Sequence, residues 1–248
     1  MNNQERWKAT LDIVTASKRM WQRGFVANHD GNLSVRLGDE LLATPTAVSK
    51  ADITPETILT LDLNGKHLAG PGKPFSEINL HVAAYKARPD ITAVAHAHPP
   101  YATARGAAGL ALDKPFIPES IVSIGNIVPV ASYTMPGTLE SAKAVTDILS
   151  HANVFMIAGN GVLAVGADIM QAYLRIELVE HLAKMDFIAR QLGSSLGMPT
   201  EDIGILLEKR ASAGLDPASP KAAHKPNTSE HEDIRKIIAE EIKSILGT

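Results

Sequence analysis

Two histidines one residue apart, His96 and His98 in AVAHAHPPY (residues 93–101), are the side chains whose spacing alone could do chemistry. Successive side chains of a β-strand point to opposite faces, so residues i and i+2 share one face. If TAVAHAH is a strand, the two imidazoles stand side by side and Ala97 turns away. Neutral imidazole nitrogens aimed at one point can chelate a divalent metal. The same spacing also serves two hydrogen-bonded histidines at a strand end, and by itself it does not separate the two.

The remaining composition limits what else could hold a metal. The 248-residue chain has no cysteine, so it carries neither a thiolate nucleophile nor a disulfide framework. Any metal must be held by histidine, carboxylate or amide. At 45% hydrophobic and 21% charged, the sequence has the make-up of a soluble globular protein of one large or two small domains. A net charge of −3 and the absence of a basic block argue against nucleic acid as the main partner. The opening MNNQERWKATLDIV lacks the basic and apolar regions of a signal peptide. No apolar run reaches the roughly 18 residues of a membrane span. The expectation is a cytoplasmic protein with a small-molecule substrate and no membrane contact.

The elements that must position the histidines can be read from periodicity. Residues 5–23 have helical spacing of Trp7, Leu11, Ile13, Met20 and Trp21, ended by Gly24. LSVRL and ELLAT, joined by a Gly-Asp turn, form one hairpin, and ILTLDLNGKHLAG forms a second around Asn64-Gly65. FSEINLHVAAYKARPD reads as a helix with a serine cap that ends before Pro89. After the histidine strand come a helix at 100–107, a strand in NIVPVASY and a helix in LESAKAVTDILSHA. Two strands then flank Gly159-Asn160-Gly161, followed by helices at about 169–192 and 200–212. Hairpins mixed with helices predict an α/β sandwich with a largely antiparallel sheet.

Residues 1–212 read as one catalytic domain, and from 213 the character changes. AGLDPASPKAAHKPNTSE reads as a Pro/Ala/Ser-rich linker over 213–229, leading to an amphipathic helix over 230–248. There Ile234, Ile237, Ile238, Ile242, Ile245 and Leu246 make one apolar stripe. A helix this short is marginal alone, so it packs on its own subunit or docks on a partner surface such as a microcompartment shell.

GNLSVR (31–36), TPT (44–46), SE followed by H…Y…RPD (76–90), AHAHPPYATA (95–104) and GNGVLAVG (159–166) occur in this order. The ordered set, over about residues 5–195, resembles the class II aldolase/adducin family. The resemblance implies a three-layer α/β/α sandwich, a homotetramer with active sites between subunits, and a metal, usually zinc, held by three histidines. His96 and His98 match two of them, and Glu77 matches the catalytic carboxylate. A carboxylate in the first turn of a helix lies near its positive dipole end. Beside a metal it can abstract a proton next to a carbonyl while the metal stabilises the enediolate, and the reverse course gives retro-aldol cleavage. Asn32, Thr44, Thr46 and Ser76 match positions that bind a substrate phosphate, and His81, on the same helical face as Glu77, is taken as a structural hydrogen-bond partner.

The departures from the pattern are specific. Asn160 stands where the family has its third metal histidine. His181, in RIELVEHLAKM, is the expected third ligand, with Asn160, His29 or water as alternatives. Zinc is the first expectation for the metal, with manganese, iron and cobalt open. Ala47 replaces an expected glycine, and Phe75 replaces an expected serine and adds an apolar wall. The tyrosine proton donor of aldolase relatives has no counterpart in FIPESIVSIG, where Glu119 is either a substitute acid or a surface carboxylate. The expected function is a metal-dependent lyase cleaving a small hydroxylated carbonyl compound, a sugar phosphate or related. The alternatives are an epimerase, dehydratase or decarboxylase on the same scaffold, or a non-catalytic adducin-like binding module.

Overall fold

The hairpin sequences pair as their turn residues require. LSVRL and ELLAT form β1 (Asn32–Leu37) and β2 (Glu40–Ala43), and the Asn64-Gly65 turn joins β3 (Leu59–Asp62) to β4 (His67–Ala69). Together with β5 (Ala93–Ala97), β6 (Val130–Ala131), β7 (Val154–Ile157) and β8 (Val162–Gly166) they build one eight-stranded sheet. Its order is β4-β3-β2-β1-β5-β8-β7-β6, and every pair is antiparallel except β6 with β7. These relations come from a computed structural model that describes residues 3–135, 138–193 and 197–217. The expected amphipathic helix at 230–248 and all but the first residues of the expected linker lie outside the described residues.

Seven helices are found among the described residues: α1 (Asn3–Gln22), α2 (Ile78–Ala87), α3 (Pro100–Ala107), α4 (Pro118–Ile124), α5 (Leu139–Leu149), α6 (Ile169–Gln191) and α7 (Thr200–Ser212). Side-chain alternation sorts the sheet into two faces. Ala93, Ala95 and Ala97 of β5 share a buried cluster with Ile13 and Met20 of α1 and with Ala172, Tyr173 and Val179 of α6. Val94, Leu163 and Val165 join the opposite cluster, with Leu80, Val82 and Tyr85 of α2 and Val145 and Leu149 of α5. Three alanines on one face of β5 leave room for α6 to lie close. Each large apolar side chain removed from water on either face contributes about 1.5–3 kcal/mol. The result is a three-layer α/β/α sandwich, with His96 on the face covered by α2.

Some local expectations fail for identifiable reasons. Ser76 is exposed and does not cap α2: Glu77 is the N-cap residue, without a side-chain cap bond, so it precedes the first turn. The strand expected in NIVPVASY shrinks to the two residues of β6. Neither α4 nor the single 3-10 turn Pro55–Thr57 is anticipated by apolar spacing, because each is too short to show a period; both begin with Pro, whose fixed φ suits a helix start. The linker boundary at 213 is early. Asn153 Nδ2 donates to the Leu215 carbonyl at 3.0 Å, and Arg210 pairs with Asp216 at 2.8 Å, which fastens the chain to the body of the domain through 216. Among the described residues, no helix is long and apolar enough to cross a membrane.

Candidate active site

Strand β5 ends at Ala97, so His96 is the last outward-pointing residue of the strand on the α2 face and His98 follows just beyond it. His96 is 1% exposed, and its Nδ1 lies 3.0 Å from the Val162 carbonyl of the neighbouring strand. A carbonyl only accepts, so Nδ1 carries the hydrogen and, in the neutral ring, Nε2 carries the lone pair. His98 Nδ1 lies 3.0 Å from Asp30 Oδ2, which fixes its tautomer the same way. The two Nε2 atoms then face each other at 3.2 Å, with the rings edge to face. Two lone pairs that close repel unless a cation lies between them. Two nitrogens bonded tetrahedrally to one metal at about 2.0–2.1 Å would be about 3.3–3.4 Å apart. Ring nitrogens braced by a carbonyl and a carboxylate are the outer support that metal-binding imidazoles ordinarily have. These two residues fit a divalent metal. Among the described residues, however, no three His, Cys, Asp or Glu side chains form a group that could hold one.

Glu77 reaches this pair from the N-terminus of α2, with Oε2 at 3.5 Å from His96 Nε2. Each of its oxygens accepts one amide: Asn160 Nδ2 donates to Oε1 at 2.6 Å and Asn32 Nδ2 donates to Oε2 at 3.1 Å. Register makes this possible, because Asn32 of β1 sits directly opposite His96 of β5. Burial works against the charge of Glu77, but His96 and the two amide donors outweigh it and hold the carboxyl below its ordinary value. Burial also lowers the His96 imidazolium, against the opposing pull of Glu77. The arrangement is thus a carboxylate held by two amides beside a pair of facing imidazole nitrogens. A buried carboxylate left without donors would cost several kcal/mol, so the two amides are structural necessities as well as chemical ones.

His81 lies one helical turn after Glu77, fully buried, with Nδ1 2.7 Å from Ser34 Oγ. Burial pushes its pKa down to about 3, so it is a neutral hydrogen-bond partner. Two buried polar atoms here have no partner among the described residues: His81 Nε2 and Asn32 Oδ1. The second is informative. With its nitrogen facing Glu77, Asn32 presents an acceptor, which suits a hydroxyl donor better than a phosphate oxygen.

The other residues matched to phosphate binding divide between core and surface. Thr44 is fully buried, and its Oγ1 accepts from the Leu33 amide at 3.2 Å. Thr46 and Ser76 are exposed, and the Thr46 amide donates to the Lys73 carbonyl at 2.9 Å, which ties their two loops together. Ala47 adopts φ 58°, the left-handed conformation of the expected glycine, so the turn survives the substitution. The apolar wall expected from Phe75 does not form. The ring is 6% exposed and packs edge-on against His81, with centroids 4.9 Å apart.

His181 is not brought to the site. It is exposed on α6, and α6 covers the sheet face opposite the one that carries His96, so the sheet separates them. The residue beside it, Glu180, is the one turned inward, accepting the Tyr101 and Ala102 amides at the start of α3. His29 is exposed at its loop, where its carbonyl lies 3.4 Å from Lys50 Nζ. Glu119 is exposed in the first turn of α4, as a surface carboxylate would be. Sequence reasoning missed Asp30, although an aspartate beside a glycine in NHDGN was the available signal. It also missed the role of Asn160 as a donor to Glu77, for which no sequence signal exists.

Residues 11–187 match the family described as the class II aldolase and adducin N-terminal domain. An L-fuculose phosphate aldolase of Methanococcus maripaludis is 32% identical over 181 residues, covering 73% of this chain and 97% of that protein. A 3-oxo-tetronate 4-phosphate decarboxylase of Haemophilus influenzae is 33% identical over 181 residues, covering 71% of this chain and 85% of that protein. Among solved structures, an L-fuculose 1-phosphate aldolase superposes with a TM-score of 0.73 at 27% identity, covering 82% of this chain and 95% of that one.

Proposed function

The chain belongs to the class II aldolase and adducin family, and from that premise we propose a metal-dependent carbon–carbon lyase that cleaves a small hydroxylated carbonyl compound by retro-aldol chemistry. The observation that carries this reading is the pair of facing Nε2 atoms of His96 and His98, 3.2 Å apart, beside the amide-held carboxylate of Glu77. His96 and His98 would hold the metal. A divalent cation there supplies Lewis-acid polarisation of the substrate carbonyl. Glu77 is the proton carrier. In the synthetic direction its carboxylate takes a proton from the carbon next to the carbonyl, and in cleavage it returns that proton to the same carbon. Asn32 Oδ1 accepts from a substrate hydroxyl, and Thr44, Thr46 and Ser76 shape the adjoining loops. Zinc is the first candidate. Manganese, iron and cobalt follow, because a site of two imidazoles completed by oxygen donors also suits them.

Decarboxylation is the second reading, supported by the 33% identity to a decarboxylase and by the absence of the aldolase tyrosine. Both reactions break a carbon–carbon bond next to a carbonyl and return a proton to the same carbon. The test is incubation of the metal-loaded chain with L-fuculose 1-phosphate and with 3-oxo-tetronate 4-phosphate, scored for aldehyde and for carbon dioxide. Aldehyde release that is lost in Glu77→Gln is the expected result, and carbon dioxide release would establish the second reading. A chain that binds no metal and releases neither product would be a binding module of the adducin kind. We also propose a homotetramer, and a C-terminal stripe from Ile234 to Leu246 that docks on a partner such as a microcompartment shell. Deleting residues 218–248 should leave turnover unchanged and abolish that association.

A further inference from the structure

We propose that Asn160 is a positioning residue for Glu77 and not a donor to the metal, an inference that rests on the lyase reading above. Asn160 sits between β7 and β8, flanked by Gly159 and Gly161, and its own amide donates to the Ile157 carbonyl at 2.9 Å. Its backbone is therefore fixed, and its side chain reaches across to Glu77 on a separate element, with Nδ2 at 2.6 Å from Oε1. A carboxylate only accepts, so the amide nitrogen must face it and the amide oxygen must face elsewhere.

For that oxygen to ligate a metal, the amide would have to flip. Flipping would set an oxygen against the Glu77 carboxylate and forfeit a charge-assisted hydrogen bond. Asn32 makes the matching contact to Oε2 at 3.1 Å, so two amides from β1 and the β7–β8 turn hold the carboxylate from both sides. The position that could have provided a third protein ligand is committed to the proton carrier instead. His96 and His98 would then hold the metal, and Asn160 would hold Glu77.

The experiment measures zinc and manganese dissociation constants by chelator competition on the full chain, together with kcat and KM, for wild type, Asn160→Ala, Asn160→Ser and Asn160→His. For Asn160→Ala we expect metal affinity within about twofold of wild type, because no ligand is lost. Its kcat should fall about 10–100-fold with KM nearly unchanged, because Glu77 is no longer aimed. Asn160→Ser, which keeps a short polar side chain at the turn, should show the same split and stands in if the alanine variant does not fold. Asn160→His adds an imidazole and should tighten metal binding by about 10-fold or more. A 10-fold loss of metal affinity in the alanine and serine variants would make Asn160 a ligand and overturn the proposal. Unchanged kcat in both would overturn it equally. A wild-type chain that binds neither metal would remove the lyase reading itself, and the proposal with it.

Discussion

Gly161 passes so close to His98 that a methyl group on its α-carbon would stand 2.3 Å from the imidazole Cδ2 and 2.2 Å from the Ala97 carbonyl oxygen. Its φ of 73° is also left-handed, so a side chain there meets both strain and collision. Gly161→Ala should destabilise the fold by about 2–4 kcal/mol and abolish metal binding by displacing His98. Gly109→Ala separates the two effects. Its φ is 69° but nothing lies within 4 Å of the added carbon, so a loss of about 1 kcal/mol with metal affinity unchanged is expected. Denaturant titration and chelator competition on both variants check this.

Asp30 should govern metal affinity without touching the metal. Its Oδ2 holds the His98 ring from behind at 3.0 Å, and its Oδ1 accepts the Ala27 amide. Removing the carboxylate frees both the ring orientation and the tautomer, and losses of such outer partners typically cost about 10–100-fold in metal affinity. Asp30→Ala is expected to fall in that range while keeping a cooperative unfolding transition, because the side chain is 30% exposed. Metal affinity unchanged in this variant would mean that the His98 nitrogen is not a ligand.

Ala47 holds a conformation that its side chain opposes. At φ 58° an L-residue costs about 1–2 kcal/mol relative to the right-handed region, a penalty that glycine escapes. Glycine also loses more conformational freedom on folding, which offsets part of the gain. Ala47→Gly should therefore raise unfolding stability by about 0.5–1 kcal/mol, read as a shift of the urea midpoint at constant slope.

What the sequence disclosed about the site follows a physical division. The i, i+2 spacing of His96 and His98 needs only a strand to become a shared face, and hairpin turns at Gly38-Asp39 and Asn64-Gly65 are local events. Glu77 and Asn32 entered through family resemblance, and their direct contact became visible only once β1 was paired against β5. The error over His181 has the same origin. Helical spacing placed it on a helix, but which sheet face that helix covers depends on the long-range packing of Ala172, Tyr173 and Val179, and that puts the sheet between His181 and His96. The donor role of Asn160 joins residues 83 apart in the chain, a separation that no periodicity records.

Lys50 gives the fold a pH dependence on the alkaline side. The residue is 1% exposed, and its ammonium donates to the Val48 carbonyl at 3.0 Å, with the His29 carbonyl at 3.4 Å. Burial pushes its pKa down to about 8, against the opposing attraction of Asp30, from 10.5 for an ordinary lysine. Between these two values the unfolded chain holds a proton that the folded chain has released, so stability rises with pH across that window. Below about pH 8 both states are protonated and the burial penalty is carried in full, on the order of 3 kcal/mol, since each tenfold weakening of proton binding corresponds to about 1.4 kcal/mol. Lys50→Met removes the charge and keeps most of the volume. The two carbonyls lose their donor, so the net gain at pH 7 should be smaller, about 1–2 kcal/mol. Denaturant midpoints taken every half unit from pH 7 to 10.5 should climb in wild type from about pH 8 and lack that rise in the variant. Parallel profiles for the two proteins would show that Lys50 keeps its proton throughout, held by the carbonyls and Asp30 more firmly than burial opposes it.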